Sequence, residues 1–91
     1  MSVTVEVPGT IQSGVSMPAA VEVAPGTVRQ ILDELIAQWP EVRPRLQQDS
    51  GELQRFVNIY IDDVDHRQLG GLDAVVPDRQ SLVILSAVSG G

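Results

Sequence analysis

One stretch of the sequence has the apolar periodicity of an α-helix, and it restricts the fold more than any other feature. Thr27 and Gln30 have the spacing of a capping box at its start, and Pro40 ends it. Six apolar residues fall on one side of this helix: Val28, Ile31, Leu32, Leu35, Ile36 and Trp39. A single helix with one apolar stripe needs one surface to cover it, so the rest of the chain is expected to supply one face of one sheet.

Segments of alternating apolar and polar residues predict strands on both sides of the helix. The predicted strands are residues 2–7 and 19–24 before the helix, and 56–61, 64–67 and 82–85 after it. Residues 10–18 have no period and are expected to form a loop, Pro25-Gly26 a turn, and 41–51 at most a short helical turn. The order ββαβββ predicts an α+β domain in which a mixed five-stranded sheet carries one main helix on one face.

The alternation along each strand also divides the side chains between the two faces of the sheet. If the last strand pairs beside the first, the face under the helix is expected to hold Val57, Ile59, Leu82 and Ile84. Val83 and Leu85 then point to the opposite face, which has no helix to cover it. With Phe56 and Tyr60 as neighbours, they predict an exposed apolar patch of the kind that binds a partner protein.

The composition of the chain and its net charge exclude several classes of function. A net charge of -6 argues against binding to nucleic acid and favours a partner with a basic docking surface. No window reaches the roughly 18 apolar residues of a membrane-spanning helix, and residues 1–20 lack the pattern of a signal peptide, so we expect a cytoplasmic protein. The absence of cysteine excludes disulfides and thiolate chemistry on side chains. All six cations are arginine; an activated acyl group would benefit from the absence of lysine, although codon bias is the plainer explanation.

Two clusters that could suggest an active site are better explained as structure. Asp62 and Asp63 are expected to form a tight turn between two strands, and with Asp65 and His66 they include metal-ligand residue types. Neighbouring residues of a hairpin alternate faces, however, and do not converge on one ion. His66 has no cysteine to activate, and Gly70-Gly71 lacks the strand-to-helix context of a phosphate-binding loop. We therefore expect the chain to be neither an enzyme nor the holder of a metal or cofactor.

The last predicted strand leads directly into residues 86–91, which end in Gly90-Gly91. A flexible tail of small residues can thread a narrow channel, and glycine lets the backbone approach a nucleotide closely. The reactive group of such a tail would be the carboxylate of Gly91. Whether a longer precursor is clipped to expose it stays open.

Three segments of the second half, residues 55–60, 70–72 and 82–91, have specific sequence motifs. With these motifs, and in its order of elements over essentially the whole length, the chain resembles the MoaD/ThiS/CysO family of ubiquitin-like sulfur carriers, and among these the CysO-like carriers most. The resemblance implies a ubiquitin-like β-grasp fold, with residues 1–91 as a single domain and 86–91 as its tail. It also implies that an adenylating enzyme with ATP and magnesium converts the Gly91 carboxylate to an acyl adenylate, which a sulfur donor converts to a thiocarboxylate.

The resemblance also implies which partners the chain meets. In CysO-like systems the thiocarboxylate attacks an aminoacrylate on a PLP enzyme, and a metalloprotease then releases cysteine. ATP with magnesium, PLP and zinc would thus belong to the partners, and the acceptor would serve cysteine or secondary-metabolite biosynthesis. The expected docking residues are those of the exposed patch and the start of the tail: Phe56, Tyr60, Val83, Leu85, Ala87 and Val88.

Three alternatives stay open at this point. The chain could be the small subunit of molybdopterin synthase, which uses the same kind of tail inside a large-subunit active site. It could be a protein modifier joined to substrate lysines, like ubiquitin. It could also be a β-grasp interaction module with a fortuitous tail.

Overall fold

A five-stranded sheet crossed by one long helix organises the computed structural model, which describes residues 1–86. The strands of this sheet are β1 (Val3–Glu6), β2 (Ala20–Val23), β4 (Val57–Ile61), β5 (Val64–Asp65) and β7 (Ser81–Ser86). They lie in the order β2-β1-β7-β4-β5, and the central pair β1 and β7 is parallel while the other pairs are antiparallel. The predicted mixed five-stranded sheet, with the last strand beside the first, is therefore confirmed.

The long helix α2 (Val28–Gln38) begins at the predicted capping box. The Thr27 side-chain oxygen accepts a hydrogen bond from the Gln30 backbone N–H at 3.1 Å, and the Gln30 side-chain oxygen accepts one from the Thr27 N–H at 2.9 Å. Trp39 caps its C-terminal end, and its indole N–H donates to the Ser16 carbonyl oxygen at 3.1 Å. The helix is thus held at both ends by the contacts that its sequence favours.

The main core lies between α2 and the sheet. Val28, Ile31, Leu32 and Leu35 of the helix are at most 1% exposed. Below them lie the inward-facing residues of the sheet, all at most 7% exposed: Val3, Val5, Val21, Val23, Val57, Ile59, Ile61, Leu82 and Ile84. Ile36 and Trp39 are only partly buried and pack against the edge of this cluster. The expected pairing of the helix stripe with the alternate residues of the strands is confirmed.

The segment predicted as a loop at 10–18 contains a short helix, α1 (Gly9–Gln12). Ile11 in this helix is 1% exposed, and the Arg45 guanidinium donates a hydrogen bond to its carbonyl oxygen at 2.8 Å. Val15 and Met17 are buried as well. The loop prediction was wrong because one helical turn is too short to show a period, and its formation depends on the core that takes up Ile11.

Short elements also differ from the prediction in two other places. Gly26, expected in a turn, belongs to strand β3 (Gly26–Thr27), which pairs with β6 (Val75–Val76) in a separate two-stranded sheet. The predicted strand at 64–67 ends at Asp65, whose carboxylate accepts a hydrogen bond from the Arg67 N–H at 2.9 Å and begins a 3-10 helix.

The connections contain further helical turns. They are the 3-10 segments Pro40–Val42, His66–Leu69 and Gly71–Asp73, and the short helix α3 (Arg43–Leu46). Within residues 1–86, no helix is long and apolar enough to cross a membrane.

Candidate functional site

Strand β7 divides its side chains between the core and the uncovered face of the sheet. Leu82 and Ile84 are almost fully buried, whereas Leu85 is 47% exposed and Val83 is partly exposed. In the antiparallel register with β4, Tyr60 lies opposite Val83. Together with Asp63, these residues line a hollow of about 270 Å³, which we call the outer-face hollow: Tyr60, Asp63, Val83 and Leu85. Three of the predicted docking residues are therefore brought together.

Asp63 reaches this hollow because of the turn between β4 and β5. Asp62 and Asp63 have φ values of 46° and 72°, as in the two-residue turns that join twisted antiparallel strands. Asp62 is tied to β7, since its N–H donates to the Ser81 carbonyl oxygen at 3.2 Å and its carboxylate accepts from the Ser81 N–H at 3.1 Å. The sequence predicted the turn, but the place of Asp63 in the lining of the hollow follows only from the folded geometry.

A polar network borders the hollow where β5 meets the following 3-10 helix. Asp65 lies opposite Tyr60 in the sheet, and its carboxylate binds the Arg67 guanidinium at 2.7 Å. Arg67 also donates to the Asn58 side-chain oxygen at 3.2 Å. The hydrogen bonds from Arg67 hold the pKa of Asp65 well below its usual range, and the same pairing raises the pKa of Arg67. The Arg67 charge is thus already matched within the chain.

Acidic residues border the other side of the uncovered face. Glu6 is exposed and lies opposite Val83 in the parallel register of β1 and β7. Glu22 on β2 is exposed as well, and its carboxylate accepts hydrogen bonds from the Ser2 and Thr4 hydroxyls at 2.6 and 2.5 Å. These hydrogen bonds lower the pKa of Glu22, so it stays ionised at neutral pH. The apolar centre of this face therefore lies between negatively charged side chains.

One predicted docking residue, and the residue expected to begin the tail, lie elsewhere than expected. Phe56 precedes β4 and packs against the core cluster instead of lining the outer-face hollow. Strand parity was applied to Phe56 although the strand begins only at Val57, and this explains the error. Ser86, expected to begin the tail, is the last residue of β7 and pairs with Val57. The remaining predicted site residues lie outside the described part of the chain: Ala87, Val88, Gly90 and Gly91.

His66 has a structural place in the fold. Its ring is 3% exposed, and Nδ1 donates a hydrogen bond to the Ile59 carbonyl oxygen at 3.1 Å. Among residues 1–86, no three histidine, aspartate or glutamate side chains come close enough together to hold a metal ion. Two aspartates of the hairpin have separate contacts, Asp62 with Ser81 and Asp65 with Arg67.

A second hollow, of about 410 Å³, lies beside the start of β4. Its lining includes Val57 and His66 together with charges of both signs, Glu52, Arg55 and Arg67. None of the predicted docking residues is among those that line it. The outer-face hollow is therefore the concave surface that the sequence-based expectation identifies.

Comparison with known proteins gives one family and several close relatives. Residues 5–91 match the ThiS family. The sulfur carrier protein CysO of Mycobacterium tuberculosis is 37% identical over 93 residues, which cover 100% of both chains. A chain in the crystal structure of the Amycolatopsis orientalis BexX/CysO complex has a TM-score of 0.85 and 37% identity, over 98% of this chain and 99% of that one. SAMP1 of Haloferax volcanii, at 23% identity and a TM-score of 0.83 over 100% of both chains, shows the fold alone.

Proposed function

This chain belongs to the ThiS family, and from that premise we propose that it is a sulfur carrier whose Gly91 carboxylate receives the sulfur. The observation that carries the proposal is the full-length relationship to a CysO sulfur carrier, at 37% identity with both chains fully covered. The family match also extends through Gly91. The β-grasp fold, the uncovered face of the sheet and the two terminal glycines are each consistent with a sulfur carrier.

The chemistry proposed for Gly91 begins with activation of a carboxylate. A carboxylate is a poor electrophile because its oxygen is a poor leaving group. Attack of this oxygen on the α-phosphorus of ATP releases pyrophosphate and gives an acyl adenylate, from which hydrosulfide (HS⁻) delivered by the sulfur donor displaces AMP. The product is a thiocarboxylate, which is ionised and nucleophilic at neutral pH. Because the chain has no cysteine, no internal thiol competes for the activated carbonyl or the sulfur.

The described residues have a separate part in this proposal, which is to bring the tail to the partner. Val83 and Leu85 lie on β7, the strand whose next residues are Ala87 and Val88. A partner that binds the outer-face hollow therefore holds the strand immediately before the tail. We place the docking surface there, with Ala87 and Val88 as its continuation. Because β7 leads into the tail, binding of the partner at Val83 and Leu85 would direct Gly91 towards the partner's active site.

The partners follow from this chemistry. An adenylating enzyme would bind ATP and magnesium, and an acceptor synthase, PLP-dependent in CysO-like systems, would take the sulfur. A zinc metalloprotease would release the product where the acceptor becomes joined to Gly91. A CysO protein of Amycolatopsis orientalis forms a complex with BexX, which supports the expectation of a protein partner. We propose the cytoplasm as the location because activation consumes ATP.

ATP–pyrophosphate exchange with the cognate adenylating enzyme tests the proposal. Deletion of Gly91, or addition of one residue after it, is expected to abolish exchange, because the carboxylate would no longer reach the nucleotide. Ser89→Ala is the matched control, since it alters the tail but keeps its length and its glycine pair, and exchange should persist. Normal exchange with the deletion variant, folded by circular dichroism, would place the acyl site elsewhere.

A further inference from the structure

We propose that the outer-face hollow receives a long cationic side chain, arginine or lysine, from the adenylating enzyme, and that Asp63 pairs with its charge. This inference rests on the proposed function, because the adenylating enzyme is the partner considered. The carbon chain of the cation would lie on Val83 and Leu85. The ring of Tyr60 would border it on the neighbouring strand.

The lining of the hollow combines two kinds of surface. Val83 and Leu85 are aliphatic, Tyr60 is aromatic, and Asp63 adds one carboxylate. An apolar side chain placed here would cover Asp63 and remove water from a charge without pairing it, which is costly. Arginine and lysine have an apolar stem and a charged end, so either satisfies both parts of the lining. The face of Tyr60 adds a favourable site for the same charge.

The contacts of the hairpin leave Asp63 available for a partner. Its neighbour Asp62 accepts a hydrogen bond from the Ser81 backbone, and Asp65 is paired with Arg67. None of the salt bridges within residues 1–86 includes Asp63, although its side chain is exposed. Arg67 is also bound to Asn58, which lies opposite Leu85 on the same face, so the chain's own cation is held by Asp65 and Asn58 and not by Asp63. Asp63 is thus the carboxylate of this hairpin that no described contact satisfies.

The wider charge distribution favours the same occupant. Glu6 lies opposite Val83 and Glu22 stands one strand further out, while Asp63 lies on the other side in the turn after β4, so acidic groups lie on both sides of the apolar centre. The whole chain carries a net charge of -6. Such a field attracts a cationic surface and speeds its encounter, while the specific pair at Asp63 would slow its dissociation.

Two neighbouring substitutions distinguish the ion pair proposed for Asp63 from the general attraction of the negatively charged chain for a cationic surface. Asp63→Asn and Asp62→Asn each remove one negative charge from the same turn, and asparagine tolerates the positive φ of both positions. Titration calorimetry with the adenylating enzyme should show a Kd raised about tenfold or more by Asp63→Asn and by less than about twofold by Asp62→Asn. The pyrophosphate-exchange KM should rise in parallel while kcat stays unchanged, because Asp63 lies on the β4–β5 turn and is proposed to act in binding, whereas the reacting carboxylate is that of Gly91.

The outcomes distinguish this inference from the proposed function. Equal Kd values for the two asparagine variants would overturn the inference, since only overall charge would then matter. The proposed function would fail instead if the wild-type chain bound the enzyme without undergoing adenylation, and a tenfold effect of Asp63→Asn on that binding would still support the cationic pocket. A wild-type chain that does not bind the enzyme contradicts both. Urea midpoints of both variants, expected to match the wild type, control for folding.

Discussion

The two faces of the central sheet have similar aliphatic residues in very different surroundings. Along β7, Leu82 is fully buried while Leu85, on the opposite face, is 47% exposed. The difference lies in what covers each face, because α2 has one apolar stripe and can cover only one side of the sheet. The covered face therefore stabilises the fold, and the uncovered face leaves apolar surface free for a partner. Mutations can test whether these two tasks are as separate as the geometry indicates.

The largest expected effect is a loss of stability when a core residue on the covered face is truncated. Leu35 is fully buried in the core between α2 and the sheet. Leu35→Ala should lower the free energy of unfolding by roughly 2–5 kcal/mol, because it removes buried apolar contact and leaves a cavity. Urea denaturation measures this change. If the variant remains mostly folded, its affinity for the adenylating enzyme should stay close to the wild-type value.

The exposed neighbour Asp33 supplies the control for Leu35. Asp33→Ala alters the solvent-facing side of the same helix and should change the free energy of unfolding by less than about 0.5 kcal/mol. A change under about 1 kcal/mol for Leu35→Ala would mean that the helix stripe does not form the main core.

The second prediction concerns the uncovered face. Leu85→Asp should weaken binding of the adenylating enzyme by at least about 2 kcal/mol, through lost apolar contact and the desolvation of a second carboxylate, because the partner's cation is proposed to pair with Asp63. Stability should change little, because Leu85 is half exposed and contributes little to the core. Titration calorimetry measures the affinity, and circular dichroism confirms folding.

Val75 offers a matched control for this substitution. It is 66% exposed and lies on β6, outside the five-stranded sheet. Val75→Asp introduces the same charge at a site that the partner is not expected to touch, so affinity should be retained. Equal losses for the two variants would indicate a general effect of charge and would remove the distinction between the faces.

The smallest expected effect is a change in stability when the ion pair at the polar edge of the uncovered face is removed. Pairing with Arg67 lowers the pKa of Asp65 in the folded chain. Its ionised form therefore adds stability above the unfolded pKa, near 4, and this contribution is lost as the pH falls through the folded value. Asp65→Asn should lower the urea midpoint slightly at pH 7, because surface ion pairs contribute little. The difference from the wild type should shrink in acid; a difference that grows there would contradict this assignment.

The sequence predicted the long elements and the two faces because each depends on a local period. The capping box at Thr27, the stripe along α2 and the parity of Leu82 and Ile84 can all be seen in the order of the residues. The helical turn around Ile11 could not be predicted in this way. It is one turn long, and its stability comes from packing against residues distant in the chain.

Some residues of the candidate site could likewise be predicted from the sequence, and others could not. Val83, Leu85 and Tyr60 were predicted together because strand parity is a local rule, and Phe56 was misplaced because it lies before the strand. Asp63 joins them through the geometry of a two-residue turn, which residue types alone do not determine. Gly91 was identified from the tail pattern and the family resemblance, and its role stays a prediction.

The central claim is that Gly91 carries sulfur, and the intact mass of the protein purified from its native host tests it most directly. We predict a species heavier by the difference between one sulfur and one oxygen atom, with tandem mass spectrometry locating the exchange at Gly91. The heavier species should disappear when the adenylating enzyme is deleted from the host. A protein that carries only an unmodified carboxylate in the presence of that enzyme, or one joined through Gly91 to lysines of other proteins, would contradict the account.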